Sequence, residues 1–504
     1  MDPATAAVIA GVAQLRCRPE LDGACPPLEP ARLMALVGAR ALEDAGGGLG
    51  PGDVDLLACV DPLAWGYEDL CGRAGELLGA TRASPLTCPP GGNSPGDLLS
   101  EVAARIEEGS ARVGLLVGAE ALATSRRARQ EGITLDWTPF EGHRDFLKGQ
   151  RPLTNELESR HGLVAPIHCY PLFENALRAE AGRSITGHQR FLSELLAEHA
   201  AVAAANPYAW FPTAWTPEEI RTAGPGNRWV AFPYTKRMSA VIEVDQAAAC
   251  LVLSGAEAER RGIAPDRRVA VVGGGKATDA WTPTERPDFV SSPAYRAAAA
   301  AALERAGLGL DDVDLFDLYS CFPSAVELAM KAVGLGWDDP RPRTVTGGLA
   351  YAGGPGNDYA THALAAMVER LRADQGLVGY VSALGMTATK HAVVLLSADP
   401  AVVRGATGGA ASITLPEPQR RGPPLVQAPT GPATIETYTV YYDRDGTAAA
   451  VPVVLRLSGG DRSVALAEPA GPAAAALTAT EGVGRQGMVD AGEDGAPNRF
   501  RLEG

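Results

Sequence analysis

The sequence predicts an α/β protein built from two similar halves, followed by a small all-β appendix. Three observations carry that prediction: a long-period self-similarity, short apolar runs alternating with amphipathic helices, and a change of composition near residue 400. The 504 residues leave room for about three units at roughly 100–200 residues per domain.

Taken in chain order, AAVIAGVAQ around Val8 reads as a strand and matches VAVVGGGKA around Val269. ALEDAGGGLGPGDVDLLACV (Ala41–Val60) matches AALERAGLGLDDVDLFDLYS (Ala301–Ser320), each a helix end, a turn with Asp and a strand. GGNSPGDLLSEVAARIEEGSARVGLLVGAEAL (Gly91–Leu122) matches GGPGNDYATHALAAMVERLRADQGLVGYVSALG (Gly353–Gly385), each a Gly-rich turn, a helix and a buried strand. The matches keep the same order, so each half reads β–α–β–α–β: residues 1–262 and residues 263–410. Continuous apolar strands suit a sheet covered by helices on both faces, and crossover helices imply parallel pairing. Residues 125–238 are rich in Pro, Trp and charge and read as an insertion in the first half. Residues 425–504 are strand and turn, with hairpin signals at Asp443–Gly446 and Ser458–Asp461, and read as a small, partly open β-barrel.

Composition excludes several classes. Hydrophobic residues make up 46% and charged residues 21% of the chain, so wholesale disorder is excluded. With 45 Lys+Arg against 60 Asp+Glu, the formal charge of −15 repels phosphate backbones and anionic lipid. No nucleic-acid partner is expected. No run approaches the ~20 apolar residues of a membrane span, so no membrane insertion is expected. The first residues lack the basic start of a signal peptide. Eight cysteines without a Cys-x-x-Cys pair read as reduced thiols of a cytoplasmic protein. Seven dispersed histidines predict no metal site.

Short motifs narrow the chemistry. GNSPG (Gly92–Gly96) has the pattern of a nucleophile elbow, but Pro95 lacks the N–H that such a site needs for its oxyanion hole. Asn93 or Ser94 instead suits the N-cap of the following helix. VVGGGKAT (Val271–Thr278) lacks the first Gly and the hydroxyl residue of a phosphate loop. GGLAYAGGPGND (Gly347–Asp358) reads equally as a phosphate-facing turn or as a plain tight turn. Trp210, Phe211 and Trp215 read as packing within the insertion, with a substrate tunnel as the alternative. Cys321 ends a strand and enters a helix, where the dipole favours a thiolate; a buried, inert thiol is the commoner fate.

The duplicated halves, the insertion and the paired Gly-rich turns resemble the thiolase superfamily, in particular the sterol-carrier-protein-type thiolase-like proteins of type 1. FDLYSCFPSAVELAMKAVGL (Phe316–Leu335) sits where those thiolases carry His-Asp-Cys-Phe, GGLAYAGGPGN where they carry Gly-His-Pro, and PYTKRMSAVIEVDQAAACLVLS (Pro233–Ser254) resembles their Asp-Gly-Ala-Ala segment. The resemblance spans about residues 5–400, and the β appendix resembles the additional C-terminal domain of the type 1 proteins. It implies a thiolase fold, layered αβαβα, with a loop domain and an OB-like barrel.

It also implies a site, from which this chain departs. The acylated Cys falls at or next to Asn93, the His of Gly-His-Pro on Gly354, and the second Cys near Met386 or Thr387; Tyr319 replaces the His of His-Asp-Cys-Phe. Gly354 in place of His is expected to enlarge the pocket. The implied ligand is coenzyme A or an acyl-CoA, with no covalently bound cofactor, which points to lipid metabolism. The expected function is thioester binding with little thiolysis or Claisen condensation. One alternative is an acetyl-CoA acetyltransferase-like enzyme of altered mechanism, with Cys321 as nucleophile supported by Tyr319 or His391. Another is a scaffold that recruits a protein partner through its C-terminal domain. A monomer is implied by the type 1 resemblance, a homodimer by thiolases at large.

Overall fold

The computed structural model describes residues 1–142, 145 and 147–503. In chain order, with helices of eight or more residues numbered, the first half holds β1 (Ala7–Arg16), α1 (Pro30–Ala45), β2 (Leu56–Cys59), α2 (Leu70–Leu78), β3 (Ser84–Leu86), α3 (Ser94–Glu107) and β4 (Val113–Ala121). The chain then leaves the sheet for α4 (Leu122–Glu131), α5 (Pro166–Glu180), α6 (Ile185–Ala205), β5 (Trp229–Ala231) and β6 (Tyr234–Thr235), and returns as β7 (Asp245–Ser254). The second half holds β8 (Val269–Thr278), α7 (Pro293–Ala306), β9 (Leu315–Asp317), α8 (Pro323–Val333), α9 (Tyr359–Ala373), β10 (Val378–Gly385) and β11 (Lys390–Ser397). After β12 (Ala410–Ile413) come β13 (Gly431–Tyr438), β14 (Tyr441–Tyr442), β15 (Ala448–Ala450), β16 (Pro452–Leu457), β17 (Arg462–Ala467), α10 (Ala470–Ala479), β18 (Gln486–Asp490) and β19 (Arg499–Leu502).

The halves share one continuous sheet, ordered β3-β2-β4-β7-β1-β8-β11-β10-β9, with β12 added on β8. The duplication holds to the level of single residues. Each first strand slips register by one residue at a bulge, between Ile9 and Gly11 in β1 and opposite Leu395/Leu396 in β8. Gly11 and Gly273 let those strands pass against α1 and α7, since a Cβ would overlap the Ala41 and Ala302 carbonyls. The expectation of all-parallel halves is corrected. β2, β3 and β4 pair in parallel, as do β9 and β10, but β7 runs antiparallel to β1 and β4, and β11 antiparallel to β8 and β10. The last strand of each half returns directly from its neighbour, so no crossover fixes its direction. In the second half that return is the short turn Met386–Thr389; in the first half the whole α4–β6 excursion occupies the same place.

α3 and α9 touch each other and pack on strands of both halves, so they form a helical layer shared by the two halves. Their buried faces are lined by small and aliphatic residues, such as Val102 and Ala103 of α3 and Ala363 and Leu364 of α9.

β13, β16, β17, β19 and β18 close into a five-stranded barrel, with β17 and β19 parallel and α10 between β17 and β18, in an OB-like order. The barrel is closed rather than partly open. It is fastened to the rest of the chain. β14 pairs with β5, and the fully buried Arg462 reaches the carbonyls of Thr284 (2.7 Å) and Arg286 while its Nε bonds Glu436 (2.8 Å). Asp443–Gly446 and Ser458–Asp461 are turns between β14 and β15 and between β16 and β17.

Candidate functional site

The positions singled out in the sequence converge around the N-terminus of α3. Gly92 passes so close beneath the β9–α8 loop that a Cβ there would overlap the Tyr319 hydroxyl and the Leu384 carbonyl. Asn93 occupies the N-cap position, but neither it nor Ser94 caps the helix through its side chain. Asn93 already has helical backbone (φ −78°, ψ −15°), so its carboxamide runs along the helix and donates to Asp97 Oδ2 at 2.6 Å. The Ser94 hydroxyl is buried and donates to Pro89 O at 3.3 Å. Burial pushes the nearby Cys88 thiol up to about 11.

Tyr319 and Cys321 follow β9. The Tyr319 N–H donates to the buried Ser382 hydroxyl at 2.9 Å. Phe322 is the N-cap of α8, so Cys321 lies just outside the helix. Burial pushes its thiol up to about 12, outweighing a hydrogen bond with the Tyr170 hydroxyl. A cysteine nucleophile needs the opposite shift. Of the two readings the sequence offered, a dipole-favoured thiolate and an inert thiol, the raised thiol supports the second.

The Tyr170 ring stacks on Phe322 at 4.7 Å, and its hydroxyl accepts the Ala388 N–H at 3.0 Å. That bond steadies the β10–β11 turn, where Met386 (φ 59°) and Ala388 (φ 55°) hold left-handed backbone without being glycine. Thr387 is buried between them, its carbonyl accepting the Thr389 hydroxyl at 3.2 Å.

His391, on β11, faces Asp279 instead of Cys321. Its Nε2 lies 3.2 Å from Asp279 Oδ2, 3.2 Å from Ser292 Oγ and 3.0 Å from Ala388 O. Ser292 donates to the same Asp279 oxygen at 2.6 Å, and Arg286 Nη2 lies 3.2 Å from it. Burial opposes ionisation of Asp279, but Arg286 and His391 outweigh it and hold the carboxyl well below the usual range. Serine and imidazole converge on one oxygen, so this is a brace and not a relay through the two ring nitrogens. His391 and Tyr319 both line a cavity of about 10 Å³, which holds one water at most. Cys321 does not line it.

Gly354 opens no enlarged pocket, contrary to the sequence expectation. Its N–H donates to Val241 O at 2.8 Å, a Cβ there would meet Leu349 at 3.3 Å and Val241 O at 3.4 Å, and Gly354 lines none of the cavities described here. The Ala240 N–H donates to Cys321 O at 3.0 Å and the Val241 N–H to Leu349 O at 3.1 Å, so this segment is laced across the site. The Gly347–Asp358 turn is thereby a packing turn. Trp210 and Trp215 pack under the Arg18 and Arg237 guanidiniums and line none of the cavities described here.

Sequence reasoning missed an open cleft of about 240 Å³ on the other side of Asn93, lined by Asp97, Lys276, Lys390, Ser412 and Arg420 among others. Lys276 and Lys390 stand in VVGGGKAT and LGMTATKHA, segments in which the sequence reading gave neither lysine a ligand-binding role. It also missed that Glu174, His188 and Glu327 meet in the buried junction of α5, α6 and α8. There His188 Nε2 bonds Glu174 Oε1 at 2.7 Å and the Tyr234 hydroxyl donates to Glu174 Oε2 at 2.7 Å. Among the described residues, no helix is long and apolar enough to cross a membrane.

Comparison with known proteins places this geometry. The family described as thiolase C-terminal domain-like matches residues 275–355, and that described as thiolase-like protein type 1 additional C-terminal domain matches residues 418–494. The crystal structure of a monomeric SCP2-thiolase like protein type 1 from Mycobacterium smegmatis is 30% identical, with a TM-score of 0.81 over 100% of both chains. Acetyl-CoA acetyltransferase from Syntrophomonas wolfei shares the fold at 17% identity, with a TM-score of 0.58 over 78% of this chain and 99% of that one. Sterol carrier protein 2 of Rattus norvegicus is 28% identical over 133 residues, 26% of this chain, and the match spans 23% of that curated protein's length.

Proposed function

The chain belongs to the SCP2-thiolase-like proteins of type 1, and on that premise we propose that it binds an acyl-CoA or related thioester without performing thiolysis or Claisen condensation. The observation that carries this reading is the chemistry left around α3. By the sequence resemblance the acyl-accepting thiol of a thiolase falls at or next to Asn93, in a segment without cysteine, and Cys321 has its thiol pushed up to about 12. A thiol raised that far is almost wholly un-ionised at neutral pH. Nucleophile, base and proton shuttle act as a unit, so losing them together forfeits most of the rate. The thioester ligand is supported by the names of the relatives, an acetyl-CoA acetyltransferase and a sterol carrier protein. Cys321 is half-buried, and its raised thiol gives no support to its acylation. The barrel's attachment through Arg462 favours a structural over a recruiting role. Eight free cysteines suit the cytosol.

Isothermal titration with CoA, acetyl-CoA and longer acyl-CoAs tests the binding, with thiolysis of a 3-ketoacyl-CoA followed in parallel. Saturable heat without turnover is expected. Absence of heat and of any thermal shift at millimolar ligand overturns the binding, and turnover at the rate of an ordinary thiolase overturns the rest.

A further inference from the structure

We propose that the cleft beside the N-terminus of α3 takes a phosphate group, carried by the coenzyme A-type ligand of the preceding reading or free in solution. In a chain of formal charge −15, three cations, Lys276, Lys390 and Arg420, face one carboxylate, Asp97. Their donors are unspent. Lys276 has no hydrogen-bond or ion-pair partner among the described residues, and Arg420 donates there only through Nε, to Leu415 O at 3.0 Å. The Lys390 ammonium uses two of its three donors, on Pro90 O (2.8 Å) and Gln150 Oε1 (2.9 Å). The third is free for a ligand oxygen. Asn93 Oδ1, buried in the cleft wall, also lacks a partner and suits a ligand hydroxyl or protonated phosphate oxygen.

Size and lining select the group. A volume of about 240 Å³ is below the ~300–1,000 Å³ of pockets that enclose a whole drug-sized ligand. Apart from the His391 imidazole no aromatic ring lines the cleft, so it suits a phosphate and not a stacked base.

The internal duplication supplies a control within the same molecule. Lys276 pairs with Ala392, two residues beyond Lys390, just as Gln14 pairs with Ala248, two residues beyond Gln246. Asn93 and Asp97 open α3 as Asp358 and His362 open α9. The second half's Lys276, Lys390 and α3 cluster thus has a sister made of Gln14, Gln246, Asp358 and His362. In the sister, Gln14, Gln246 and His362 line a space of only about 10 Å³. Burial pushes the Asp358 carboxyl well above its ordinary range and His362 down to about 3, so both shifts run against charge in that cluster. Two lysines and an open cleft stand together in one copy, where the other has two glutamines and a closed space, as expected of a site for an anion.

The test is titration of the full chain with inorganic phosphate, adenosine 3′,5′-bisphosphate, CoA and dephospho-CoA. The variants are Lys276→Gln and Arg420→Gln; Lys390 is left intact because it also ties down Pro90. Loss of one charge-assisted contact weakens binding roughly tenfold, and rising salt weakens the wild type further. Tenfold weaker CoA binding in Lys276→Gln supports the assignment, and an unaffected dephospho-CoA assigns the contact to the 3′-phosphate. Unchanged CoA affinity in both variants overturns the cleft while leaving the acyl-CoA reading standing. Inorganic phosphate binding that Lys276→Gln abolishes, without CoA binding, keeps the cleft as a free-phosphate site and overturns that reading. No binding by any probe overturns both.

Discussion

Asp279 gathers Ser292, Arg286 and His391 on one carboxylate oxygen, and Arg286 is 1% exposed. In Asp279→Asn the buried guanidinium loses its counter-charge, which costs about 3–5 kcal/mol. The sign with pH follows from the direction of the shift. A carboxyl held below its unfolded value of about 3.9 contributes stability that is full above that value and is lost as pH falls below it. The wild type therefore loses stability in acid through this group, and Asp279→Asn, already without it, has a shallower acid limb. Urea unfolding of both proteins between about pH 3 and 7 measures this, and parallel pH curves would reject it. A second residue-level outcome concerns Cys321. With its thiol raised to about 12, iodoacetamide at neutral pH leaves it unmodified in the folded chain and modifies it in urea. Peptide mapping that finds Cys321 alkylated in the native protein contradicts the assigned environment.

At the scale of elements, the strands were legible where burial is continuous. VGLLVGAE became β4 and LVGYVSAL became β10, each buried along its length. Strand direction was not legible, because a strand covered on both faces has the same apolar pattern whether it pairs in parallel or antiparallel. The reversal of β7 and β11 depends on what joins them to β4 and β10, one of which is a four-residue turn and the other an entire excursion. The site divides in the same way. Asn93, Tyr319, Cys321, Gly354 and Thr387 were found by matching motifs, whereas the Asp279–His391 brace and the Lys276–Lys390 cleft join residues distant in sequence. Arg462 has the same character: a hairpin arginine in sequence, but in the fold the bolt between barrel and core. It is fully buried and lies 4.9 Å over the Phe289 ring. Arg462→Met leaves the Thr284 and Arg286 carbonyls without their donor, while Glu436 keeps Arg456 at 2.6 Å, at a cost of about 1–3 kcal/mol for each orphaned carbonyl. The expected readouts are a lower unfolding midpoint in urea and faster proteolysis between residues 420 and 431. A midpoint equal to wild type would show that the barrel is held by other contacts.

At the scale of the molecule, the question is what the ends of a long mixed sheet do. An unpaired edge strand is a template for a second copy, and chains that stay monomeric blunt such edges. Both edges are blunted here. β3 has three residues, and the middle one, Pro85, has no N–H to donate. At the opposite edge the Phe316 and Leu318 N–H groups are already taken by the Pro342 and Arg343 carbonyls, at 3.3 and 2.9 Å. β12 itself pairs with β8, and the barrel closes on itself. A net charge of −15 adds repulsion between copies. Among the described residues both ends of the long sheet are blunted in this way, so the chain is expected to run as a monomer of 52.3 kDa by light scattering at micromolar concentration. Pro85→Val would restore the missing donor. If the edge is what keeps copies apart, this variant shifts toward twice that mass at high concentration and high salt, where screening removes the charge repulsion. A wild-type dimer would place the interface on some other face and overturn the edge argument. A Pro85→Val protein that stays monomeric at every salt concentration would assign the separation to surfaces other than β3.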